Sequence, residues 1–175
     1  MSTPDRNIDS PADAVLRVDA LPANALGALL APYGLRIEHV AVGADIPGSY
    51  WGEREAGLIG DTLYLRADTP VHSALHEAGH WLCMDAARRA SVHTDARGDD
   101  AEEVGVCVLQ ALLAAQLPGY SQARLFADMD AWGYNFVLGS AQAWFEGDAD
   151  DGRDWLRRHG LVDTRGQLSG QRRDA

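Results

Sequence analysis

Apolar residues in this chain recur at two spacings. Leu35 to Val42 alternates apolar and polar positions as a strand does. Ala56 to Ile59 and Thr62 to Arg66 are two short runs around Gly60-Asp61, a pair suited to a two-residue hairpin turn of type II′ rather than I′. From Val71 the spacing becomes helical. Val71, Ala74, Leu75, Ala78, Leu82 and Ala86 form one stripe and predict a helix from Val71 to Ala87, with Thr69 as N-cap and Pro70 in the first helical position. A second helix runs from Ala101 to Leu113 behind Asp99 or Asp100 as cap. Ser121 to Trp132 and Tyr134 to Glu146 carry apolar residues at helical spacing, and Asp151 to His159 stops at Gly160. Upstream, Leu21 to Ala31 reads as a short helix ended by Pro32-Tyr33-Gly34. The fold expected is α+β: a small N-terminal sheet, then helices.

Residues 1–12 are polar and are expected to be disordered, residues 13–163 to form one domain, and residues 164–175 to fray. A chain of 175 residues that is 46% apolar is long enough to bury one sizeable core. Its net charge is −11, and it contains no lysine. So acidic a chain is unsuited to binding nucleic acid or an anionic membrane. Neither a signal peptide nor a run of transmembrane length is present, so a cytoplasmic location is expected. Two cysteines, Cys83 and Cys107, make no disulfide framework and are expected to be small buried side chains, each one turn beyond a candidate ligand.

The first predicted long helix carries His76-Glu77-Ala78-Gly79-His80, a zinc-site pattern of metallopeptidases. Chance would place it about 0.01 times in a chain of this composition. Residues i and i+4 share a helix face, so His76 and His80 reach one ion. Glu77 lies beside them as a base that takes a proton from the attacking water. A catalytic zinc needs a third protein ligand and an open position. Glu102 and Glu103, at the start of the next helix, are the candidates; spacing alone leaves both open. His72 shares the histidine face, but His72 and His80 are about 12 Å apart along the helix, too far for one ion. His72 therefore reads as a first-turn surface histidine or a residue at the cleft edge. Tyr64, Tyr134, His93 and His159 are candidate donors to a developing oxyanion. The loop with Tyr50 and Trp51 is a candidate cleft wall.

This H-E-x-x-H helix followed by a helix-borne glutamate resembles the gluzincin group of zincin metallopeptidases. Asp61 to Leu117 is more specifically similar to the compact bacterial metallopeptidases of the ImmA/IrrE type: a strand at Thr62 to Leu65, the motif helix, a loop, and a helix from Glu103-Val104 to Leu112-Leu113. The resemblance implies a zincin-like domain with one Zn²⁺ on His76, His80 and Glu103, Glu77 as base, and the strand before the motif helix as an edge strand with which an extended peptide pairs. Many gluzincins place an aspartate four residues after the ligand glutamate; here Cys107 stands there. The activity expected is zinc-dependent hydrolysis of peptide bonds in a protein or peptide substrate. The rivals are a non-catalytic regulatory zinc protein and a zinc amidohydrolase acting on a small molecule.

Overall fold

The computed structural model describes residues 11–175. The tail expected to be disordered falls mostly on residues 1–10, outside the described residues; Pro11–Ala14 forms a 3₁₀ turn. The architecture is α+β. The elements in order are α1 (Ala25–Leu30), β1 (Arg36–Val40), β2 (Gly57–Ile59), β3 (Thr62–Arg66), α2 (Val71–Cys83), α3 (Ala86–Ser91), α4 (Asp100–Gln116), α5 (Gln122–Trp132), α6 (Ala141–Gly147) and α7 (Asp150–Arg158). Among the described residues no helix is long and apolar enough to cross a membrane.

The three strands form one sheet in the order β1-β3-β2, with β1 parallel and β2 antiparallel to β3. Gly60 takes φ +57° and Asp61 keeps a negative φ, as a II′ turn requires. Period-two burial drives Leu63 and Leu65 into the core, where β3 meets α2. β3 is therefore the central strand, not the expected edge strand. The outer edge of β2 is also occupied: the Leu58 amide donates to Gly48 O (3.3 Å), and Leu58 O and Val92 O accept from Thr94 and Gly60 (2.9 and 2.8 Å). Among the described residues no free strand edge lines the cleft in the way the resemblance implied.

α2 is buried along most of its length and packs on α4, which in turn carries α5 and α7. Small residues set these approaches. A Cβ on Gly79 would stand 3.1 Å from Val106 Cγ1, and one on Gly152 would stand 2.8 Å from Val104 O. α2 and α7 can thus come close to opposite sides of α4.

Several expected boundaries move. The helix expected from Leu21 begins at Ala25, and α4 runs on to Gln116 rather than Leu113. α2 begins at Val71 with Pro70 as its cap, while the Thr69 hydroxyl accepts from the Arg66 amide instead (2.9 Å). It ends at Cys83 rather than Ala87, because Asp85 caps a new helix by accepting from the Arg88 amide (2.9 Å). The helix expected from Tyr134 begins only at Ala141. Gly133 takes φ +103° and ends α5, Ser140 caps α6, and Asp130 Oδ1 accepts from the Ala141 amide (2.8 Å). Val137, one of the apolar residues of that expected helix, is 89% exposed on the intervening loop.

The C-terminal residues expected to fray are docked. The Arg173 amide donates to Leu82 O (2.9 Å) and its guanidinium to Cys83 O (3.3 Å), filling two carbonyls that the end of α2 leaves open. Arg172 lies over Trp81 at 5.2 Å and donates to Tyr33 O.

Candidate metal centre

The spacing of α2 places His76 and His80 on the face that meets α4, and Glu103 reaches them from the first turn of α4. The Nε2 atoms of the two histidines lie 3.1 Å apart, and Glu103 Oε2 lies 3.5 Å from His80 Nε2. All three ligand atoms fall within 4.8 Å of one another. Ligand atoms at the corners of a tetrahedron with zinc-like bonds stand about 3.3 Å apart. This group can therefore hold a metal ion.

The second glutamate goes elsewhere. The Glu102 side chain is 4% exposed and takes two bonds from Arg88 (2.7 and 3.0 Å), with Arg173 at 3.9 Å. Asp99 caps the helix by accepting from the Glu102 amide (2.9 Å). Glu103, with a 34% exposed side chain, faces the histidines, and its Oε1 accepts from the Gly98 amide (3.3 Å). A Cβ on Gly98 would lie 2.4 Å from the Glu102 carboxyl, so a larger residue there would displace the Glu102 side chain.

Gln110 is the residue that sequence reasoning missed. It is fully buried two turns beyond Glu103 on the same face of α4. Its Nε2 donates to His72 O (2.7 Å), which turns Oε1 toward His76 Nδ1 at 3.3 Å. His76 therefore carries its proton on Nδ1 and presents a lone pair on Nε2. Gln110 thus orients the His76 ring, while Cys107 makes no hydrogen bond to it. The signal was available: a lone polar residue in the apolar run from Val104 to Ala115. We expect Gln110→Leu to weaken zinc affinity about 10- to 100-fold in a competition titration against a chelator, with Gln110→Glu closer to wild type. Unchanged affinity in Gln110→Leu would remove the orienting role.

Burial lowers the pKa of both histidines, His80 to about 3. Both rings are thus neutral and fit to ligate. Glu77 is pushed up to about 8, first by burial, then by Glu55, Glu103 and Asp95. Burial also raises Glu103, partly offset by the Gly98 amide. Carboxylates crowd this site without enough positive charge, an imbalance that a dication would relieve and that would bring Glu77 down.

The remaining candidates separate. His72 is buried, not on the surface: it is 1% exposed, with Nδ1 3.3 Å from the Tyr134 hydroxyl and its ring 4.9 Å from Trp132. Tyr134 lines the cleft, with its ring 6.0 Å from His76, because Gly133 ends α5 just before it. Tyr64, on the central strand beside Glu38 and Gly57, does not line the cleft. Neither does His93, bonded to Thr94, or His159, packed on Trp155 at 4.2 Å. Cys107 faces the cleft, whereas Cys83 is buried; both are free thiols.

His72 makes a pH prediction. Burial lowers its pKa to about 3. Below its ordinary value of about 6.5 the unfolded chain binds a proton that the folded chain refuses, so stability falls with acidification until about pH 3. Between pH 7 and 5, metal-free wild type should lose about 2 kcal/mol more than His72→Asn in urea unfolding. Equal losses would mean that the folded chain protonates His72 without penalty.

The cleft has two lobes that meet at His76, Glu77 and Trp51. One, of about 600 Å³, is bounded by Tyr50, the 94–98 segment, Asp100 and Glu103. The other, of about 570 Å³, is bounded by Glu55, Ser73, Cys107 and the 132–136 segment. The Tyr50–Trp51 loop, a candidate for either a cleft wall or simple packing, lines the cleft, with Trp51 74% exposed on the rim. Comparison with models of known protein families, with curated proteins and with solved structures finds no match in any of the three.

Proposed function

We propose that this chain is a zincin-like metallopeptidase that hydrolyses peptide bonds in a cytoplasmic protein or peptide, with zinc on His76, His80 and Glu103. The observation that supports the reading is the convergence of these three candidate ligand atoms beside a half-buried carboxylate, Glu77, at the junction of two cleft lobes. Bound zinc would supply a Lewis acid that polarises a carbonyl and lowers the pKa of a water in its open position. Glu77 takes the proton from the attacking water and returns it to the leaving amine. Gln110 holds His76 in the required tautomer, and the Gly98 amide holds Glu103. The open cleft continues on both sides of Glu77, and Tyr50 and Trp51 stand exposed at its rim. That shape suits an extended chain better than a small amide. With the sheet edges filled or remote, the substrate is held by the lobes rather than by pairing with β3.

Zinc-loaded protein offered a diverse peptide library should cleave some members, lose that activity to a chelator and regain it on addition of zinc. One tightly held zinc with no cleavage of any peptide would favour a regulatory metal protein. Cleavage confined to small amides would favour the amidohydrolase reading.

A further inference from the structure

The two lobes differ in charge. The first carries its own cation: Arg97 pairs with Asp95 (3.2 Å) and lies over the Tyr50 ring at 5.0 Å. The second holds Glu55 and Glu77 and, among the described residues, no arginine; its one basic side chain is His76, of the candidate metal group. Trp51, Trp132 and Phe136 also line it. Glu55 Oε1 accepts from Trp132 Nε1 (3.2 Å); Oε2 has no hydrogen-bond partner among the described residues. The neighbouring Arg54 does not line the lobe: it is paired to Asp13 (2.9 Å) and lies over Trp132 at 5.2 Å. Burial raises the Glu55 pKa, an effect to which no cation is opposed.

We propose that the lobe between Trp51, Trp132 and Phe136 receives a positively charged group of the substrate, an ammonium or guanidinium on an apolar stem, with Glu55 as its counter-ion. This assignment rests on the peptidase reading of the adjoining centre. A neutral apolar residue placed there would strip water from an unpaired carboxylate. A cation gains the Glu55 charge, and its apolar stem gains contact with the aromatic walls. The same chemistry comes from a lysine or arginine side chain, or from the amino terminus of a peptide.

The test uses zinc-loaded Glu77→Gln protein and tryptophan fluorescence, since Trp51 and Trp132 line the lobe. Three probes are compared: N-acetylated Ala-Ala-Lys-Ala-Ala amide, the same peptide with norleucine for lysine, and the norleucine peptide with a free amino terminus. One of the two charged probes should bind about 10- to 100-fold more tightly than the neutral one. Which of them does so separates side chain from terminus. Adding Glu55→Gln, which keeps the acceptor for Trp132, should abolish the difference. Equal binding of charged and neutral probes, no binding of any, or a preference that survives Glu55→Gln would overturn the assignment. Wild-type hydrolysis of the same peptides is read separately. Charge-selective binding without hydrolysis would leave the cation lobe standing and count against the peptidase; hydrolysis without charge preference would do the reverse.

Discussion

Glu77→Gln should leave about one zinc per chain and lower kcat on any cleaved peptide by about 10²- to 10⁴-fold. The reason is local. Glutamine has the shape of glutamate but cannot take a proton at neutral pH, and residue 77 is not one of the three converging ligands. The loss corresponds to about 3–5 kcal/mol of the barrier, with KM changing little because the removed interaction belongs to the proton transfer. The measurement is steady-state kinetics beside metal content on the same preparation. Full activity with intact zinc would place the base elsewhere. Lost zinc would mean that Glu77 holds the metal rather than the proton.

Replacing the ligands should separate the two adjacent glutamates. Glu103→Ala and His80→Ala should lose zinc through purification, a larger effect than Gln110→Leu produces. Glu102→Ala should keep zinc but be about 2–3 kcal/mol less stable, because it strands the Arg88 guanidinium. Metal content by mass spectrometry and urea midpoints on the three variants and wild type decide the matter. Zinc retained in Glu103→Ala would move the third ligand. No zinc in wild type, even after zinc is supplied, would leave two facing histidines of the core and end the metal reading.

Much of this was legible in the sequence because it depends on local periodicity. The 3.6-residue repeat put His76 and His80 on one helix face, and the short run Thr62–Arg66 marked a strand. Gly60-Asp61 set the hairpin because only a small set of residues accepts its positive φ. Asp99 announced the start of α4 by its side-chain chemistry. Other features were not local. Glu102 and Glu103 are equivalent as sequence; the crossing of α4 over α2 sends one to Arg88 and the other to the histidines. Gln110 and His72 acquired their roles only when two helices met. The stop of α2 at Cys83 is set by Asp85 together with Arg173, ninety positions from Cys83, and β3 became central because residues 36–40 return to its other side. The sequence by itself determined most of the elements and the pair of histidines, since both follow from backbone period and side-chain size. Tertiary structure decided which glutamate joins the histidines, the tautomer of His76 and the charge of the second lobe, since each depends on which distant side chain stands within about 3 Å of which.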